Sequence, residues 1–214
     1  MAIDKSHTSP LMKIGIITLA VVFFVGVAAI PLSALLSPSA TTTQSSSATG
    51  SETTTQALQS INLQHTPQIA AREQSITADP NNYALLVAQG NGYFEWASQV
   101  QQATQGKTGQ DLPLWVGGAT YYARALKVKP GDPNVTTDYS VAQFYSGEAT
   151  AAIATAKGVM VADPTFSPVV FNAGIFYSSI GDKVNAKAMF EKYLKMDPNG
   201  PQAAAAKDQL KTVQ

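Results

Sequence analysis

Three prolines, Pro130, Pro164 and Pro198, follow one another at a spacing of 34 residues. Each closes a helix-like stretch, and Pro164 and Pro198 follow an aspartate. Gly147 and Gly181 keep the same 34-residue spacing, each followed by an acid, and so do Ala152 and Ala186. Self-similarity at this period marks stacked helix–turn–helix units. Each glycine lies between two apolar-periodic runs, where a chain leaving a helix needs a left-handed residue. The alanines fall where two helices approach closely. The constraint is therefore an all-α solenoid in which each unit packs only on its neighbours. Such arrays usually serve as surfaces for holding another protein.

Composition narrows the function. Net charge is zero and only 13% of residues are charged, without the basic face that nucleic acid requires. The chain has no cysteine, which excludes disulfides, Cys-ligated metal, a thiol nucleophile and a lipoprotein anchor. The two histidines, His7 and His65, lie outside the periodic region, so acid–base chemistry has little material. Asp111, Glu95 and Asp138 show no spacing that pairs them for catalysis. Lys107-Thr108 after Gly106 lacks the earlier glycine and the preceding strand of a phosphate loop. The expectation is a non-enzyme with no cofactor and no metal.

Residues 14–36 form a 23-residue, charge-free and mainly apolar stretch, and a spanning helix needs about 20. Lys5 and Lys13 precede it, and the next basic residue is Arg72. That asymmetry predicts residues 1–13 in the cytoplasm and the rest outside. A cleaved signal peptide is the alternative, though its apolar core is typically about 7–15 residues and the site at Pro38-Ser39-Ala40 is poor. Residues 37–57 are rich in Ser and Thr with Glu52 as the one charge, which predicts a disordered linker reaching about 25 Å. A front helix is expected within 58–79, its core at 67–76, and a capping helix over 200–214 that opens at Pro201. In that last helix Ala203, Ala206, Leu210 and Val213 share a face.

Over residues 80–199 the chain resembles the tetratricopeptide repeat (TPR) family, whose pattern runs W-x2-L-G-x2-Y, A-x3-F and P. In the last unit Val170, Ala173-Gly174, Tyr177, Ala186, Phe190 and Pro198 fill those slots. The first has Leu86, Gln89-Gly90, Tyr93, Gly118, Tyr122, Ala125 and Pro130. The middle unit departs most, with Ser140, Gln143 in place of Tyr, and Ala156 in place of the aromatic. Asp79-Pro80 looks like the end of an earlier unit. Pro80 and Pro130 are 50 residues apart, so the first unit carries a lengthened first helix and a loop from Gly106 to Pro113. The resemblance implies a short TPR solenoid of about three helix pairs plus capping helices, behind one N-terminal transmembrane helix.

In this family partners lie in the concave groove lined by each unit's first helix. The resemblance places there Val87, Asn91, Phe94 and Glu95; Thr137, Asp138, Val141, Phe144 and Tyr145; and Phe171, Asn172, Ile175, Ser178 and Ser179. No Lys or Arg lies in 83–95, 136–146 or 168–180. Members that hold acidic C-termini use groove Lys and Arg, so a neutral, partly aromatic groove for an extended or helical apolar segment is expected instead, with Asn91 and Asn172 bonding the partner backbone. Two alternatives stand beside this assignment. Phe144, Phe171 and Tyr177 also fit a buried face, and Phe94 fits packing of the lengthened helix. Asp138 with Thr136 and Thr137 also fits a helix N-cap.

The resulting expectation is a membrane-tethered interaction scaffold or assembly factor on the outer side of a bacterial cytoplasmic membrane. The arrangement is similar to membrane-anchored TPR proteins of cytochrome c maturation, which present apocytochrome. A self-assembling structural protein and an organellar import receptor are the other readings.

Overall fold

The computed structural model describes residues 48–213. Among them the chain is all-α: α1 (Ala48–Ala78), α2 (Tyr83–Thr104), α3 (Leu112–Val128), α4 (Pro133–Tyr145), α5 (Ala149–Ala162), α6 (Ser167–Ser179), α7 (Lys183–Met196) and α8 (Ala203–Thr212). Each helix packs antiparallel on the next, and α4 also reaches α6 across one unit. The expected span at 14–36 and cytoplasmic residues 1–13 lie outside the described residues. Among the described residues no helix is long and apolar enough to cross a membrane.

The period in the sequence is a period of backbone stops. Lys129, Asp163 and Asp197, each preceding a proline, are extended (φ −136°, −134° and −140°), as clash with the proline ring demands. The first helices end alike too. The N–H groups of Gly106, Glu148 and Asp182 each reach back five residues, to the carbonyls of Gln101, Gln143 and Tyr177 at 2.9, 2.9 and 3.0 Å. Gly147 and Gly181 turn the chain there at φ 90° and 80°, a region open to glycine at little cost. Helix starts are capped by Asn82, whose Oδ1 accepts from Leu85 N–H, by Asp132 on Asn134 and Val135, and by Asp182 on Asn185.

Small residues let the two helices of a pair touch. Gly90 lies under the Tyr122 ring and Gly174 under the Phe190 ring; a Cβ at 174 would sit 2.6 Å from Phe190 Cε1. These contacts bury Tyr122 and Phe190 and repeat from the first pair to the third. The interior divides into a front cluster around Leu86, Trp115 and Tyr122 and a rear cluster around Val170, Phe176, Phe190 and Tyr193, with Val141 packed against both. α2 has 22 residues where α4 and α6 have 13. Its extra turns carry Trp96, Ala97 and Val100, and residues 105–111 make the loop to α3.

Two segments differ from expectation. α1 begins at Ala48, ten residues inside the stretch expected to be a disordered linker. It also carries Pro67 in its interior rather than at its start. A proline there removes a backbone bond and costs about 3 kcal/mol. Contacts with α2 on both flanks outweigh that cost. Ahead of Pro67, Asn62 Oδ1 accepts from Trp96 Nε1–H at 2.9 Å and His65 stacks on Trp96. Behind it, Gln89 Nε2 donates to the Ile69 carbonyl at 3.0 Å, and Arg72 donates to Gln89 Oε1 at 3.2 Å. Glu73 accepts from Tyr121 O–H, and Ile76 is buried with Leu86. α1 thus lies on α2 as the second helix of a preceding unit would. At the other end Pro201 precedes the helix, which starts at Ala203 with Ala203, Ala206 and Val213 buried.

Candidate functional site

The first helices of the pairs are α2, α4 and α6, and α4 and α6 touch directly. Charge is sorted between the layers. Over their full lengths α2, α4 and α6 carry only Glu95 and Asp138 as charged residues, both acidic. Lys127, Lys157, Lys187, Lys192 and Lys195 all belong to α3, α5 and α7.

Most of the side chains that the resemblance assigns to a groove are half-buried. Val87, Val141, Asn172, Ile175, Ser178 and Ser179 are all partly accessible, while Asn91 and Glu95 are exposed. Phe144 stacks on Phe176 at 4.7 Å and Tyr145 stacks on Trp115 at 4.6 Å, each keeping part of its surface in solvent. Asp111 fixes that second stack: its Oδ2 accepts from Trp115 Nε1–H at 3.2 Å. Burial, with the Asp111 charge, pushes the Tyr145 hydroxyl up to about 12, so it stays a neutral donor.

Phe94 and Phe171 are core residues, not groove contacts. Phe94 meets Trp115 edge-on at 4.9 Å and Tyr122 at 6.5 Å, and is 9% exposed. Phe171 is 8% exposed, between Phe190 (5.8 Å) and Tyr193 (5.6 Å) of α7. A large aromatic at either place gains more by filling its own helix pair than by facing water. Thr137 is buried as well, 4% exposed.

Asp138 does not cap a helix, because Asp132 caps α4. Asp138 sits in the second turn, half-buried, beside the Tyr122 hydroxyl, which its charge helps hold in the neutral form. Burial pushes the Asp138 carboxyl up to about 6, and the charge of Asp132 adds to that. Tyr122 donates its O–H to Asn91 Oδ1 at 2.8 Å. That bond leaves Asn91 both N–H donors of its amide and one lone pair of its oxygen. In the sequence Tyr122 fills a motif slot of the first unit, and nothing in its spacing announces that its hydroxyl reaches Asn91 of α2. Two further side-chain oxygens, Thr137 Oγ1 and Gln209 Oε1, are buried without a hydrogen-bond partner among the described residues.

Elsewhere, an open cleft of about 730 Å³ runs along α1, lined by Leu58, Asn62, Leu63, Pro67 and Ala70 with Gln110. Among the described residues no group of three or more His, Cys, Asp or Glu is placed to hold a metal ion.

Helix pairs of this length, stacked with one face formed by the first helices, define a class of folds that solved structures share. MamA is 19% identical over 76% of this chain and 87% of its own, with a TM-score of 0.51. A tetratricopeptide repeat protein from Parabacteroides merdae is 16% identical over 74% of this chain and 60% of its own, also with a TM-score of 0.51. No protein-family model and no curated protein matches the sequence. The likeness shows the fold: among the described residues the chain is an all-α array of antiparallel helices like that of tetratricopeptide-repeat structures.

Proposed function

We propose that the chain is a non-catalytic scaffold that holds a short extended or helical segment of another protein against α2, α4 and α6. One observation carries this reading. The first-helix layer presents half-buried Val87, Val141, Phe144 and Ile175 between hydrogen-bonding groups such as Asn91 and Asn172, and contains no Lys or Arg. Such a wall offers apolar contact with a few orienting polar groups, the usual make-up of a peptide groove. It lacks the cations that would pair an acidic terminus.

The scaffold is tethered by residues 14–36 to a bacterial cytoplasmic membrane, with the repeats on its outer side. The support is the apolar run and the lysines ahead of it. The groove has no feature that singles out apocytochrome, so the proposal stops at the class of segment bound.

Crosslinking in native membranes followed by mass spectrometry tests the groove. Asn172→Ala with Ile175→Ser, at unchanged melting temperature, is expected to remove the crosslinked partners; an unchanged set refutes the assignment. Orientation is testable because the chain has no cysteine. A single Asn134→Cys, on the exposed start of α4, should react with an impermeant maleimide from outside intact spheroplasts, and protection until lysis would refute the outward orientation.

A further inference from the structure

We propose that the segment held in this groove carries a lysine or arginine whose cationic group pairs with Asp138. The proposal rests on the groove reading above and adds the chemistry of one contact within it.

Three observations lead there. Asp138 is a half-buried carboxylate with no hydrogen bond and no ion pair among the described residues. The ion pairs that do occur, Lys187–Glu191 and Lys211–Asp208, lie on α7 and α8 and are exposed. Second, the groups facing Asp138 do not compensate it. Tyr122 of α3 spends its proton on Asn91 of α2, and Asp132 on its own helix adds negative charge. α6 has no charged residue to offer. Third, α2, α4 and α6 carry no Lys or Arg, and Lys157 of α5 is turned over the Tyr177 ring at 5.7 Å.

A carboxylate partly withdrawn from water without a partner is disfavoured in its charged form, and burial pushes the carboxyl of Asp138 up to about 6. At neutral pH it is still mostly ionised, so the fold retains an uncompensated charge beside its groove. An incoming guanidinium or ammonium supplies the missing partner, and the amide of exposed Asn91, which holds the same Tyr122 hydroxyl that Asp138 acts on, can hold the carbonyl of the same segment. The rest of the wall is apolar, so the segment that fits is apolar with one basic residue. An acidic segment is repelled by Asp138 and Glu95 alike.

A phage-displayed library of random twelve-residue peptides, panned on the full chain, tests this. The expected result is a basic residue enriched at one position within an otherwise apolar consensus. Replacing that residue by glutamine in the synthetic consensus peptide should weaken binding at least tenfold to the native chain. It should change binding less than twofold to Asp138→Asn, an isosteric and folded control by circular dichroism. If the consensus lacks a basic residue, or the same loss persists on Asp138→Asn, the Asp138 contact is overturned. Binding of such a consensus that is lost on Val141→Arg leaves the groove reading intact while this inference falls. A library that gives no binder sensitive to Val141→Arg overturns both.

Discussion

Replacing Asp138 by Asn should stabilise the fold at neutral pH and have little effect in acid. The folded carboxyl titrates at about 6 against 3.8 for the ordinary group, because burial and the Asp132 charge disfavour the ionised form. A folded value above the unfolded one means that the folded chain binds the proton more tightly. Stability is therefore undiminished below about pH 4, falls as the pH rises between the two values, and stays reduced above about 6. The difference corresponds to about 3 kcal/mol at most, and the half-exposed position of the side chain reduces it to about 2 kcal/mol. For a domain of this size that is about 4–8 °C in melting temperature. Asn keeps the shape and removes the charge. Urea unfolding of both chains at pH 7 and pH 4 measures the difference. Other carboxyls do shift stability with pH: Asp132 is held below the usual range, chiefly by the Tyr83 O–H, and its contribution is lost in acid. That change occurs in both chains and cancels apart from the repulsion between Asp132 and Asp138, which Asn removes along with the charge. Equal midpoints at pH 7, or a gain that persists undiminished at pH 4, would falsify the argument. A gain restricted to neutral pH would show a residue that costs the fold stability, which is common where a residue serves binding.

Three glycine substitutions should separate by sign. Gly174→Ala places a Cβ 2.6 Å from the Phe190 ring and should cost about 1–3 kcal/mol, with partial recovery in Gly174→Ala/Phe190→Leu. Gly181→Ala, at φ 80° with open space around it, should cost about 1–2 kcal/mol through the backbone alone. Gly158→Ala, inside α5 with nothing within 4 Å, should instead stabilise by about 0.5–1 kcal/mol; denaturant midpoints rank the three. Gln89→Leu removes the donor to the Ile69 carbonyl and the acceptor of Arg72. It should cost about 1–3 kcal/mol and speed amide exchange in α1 relative to α6.

The repeat fold was legible because its punctuation is written in residues with few options. A proline ends a helix one residue early, a glycine takes the left-handed turn, and both recur with the period of the unit. α1 was less legible for the same reason inverted. Its Ser/Thr-rich start and its interior Pro67 argue locally against helix, and only contacts with residues some 34 positions away, such as Asn62 with Trp96 and His65 with Gln99, make it one. Slot-by-slot matching assigned residues to first helices but did not give each side chain's environment. Position in a slot does not say whether the neighbouring helix offers a cavity, so Phe94 and Phe171 were drawn inward by Trp115, Phe190 and Tyr193. Asp138 was ambiguous for a related reason: Thr-Thr-Asp resembles a cap, but the cap position was already held by Asp132, six residues earlier.

The division of the interior into a front and a rear cluster, with Val141 against both, bears on how the molecule responds to a load. Stability in a one-dimensional array is the sum of units and of the interfaces between them, so the weakest joint limits cooperation between its two ends. The boundary between the two clusters falls at α4, the helix that also carries Asp138, Phe144 and Tyr145. A segment lying across α2, α4 and α6 spans it as a splint. Occupancy would then stabilise both ends together by mass action, raising the melting temperature as the concentration of the segment rises.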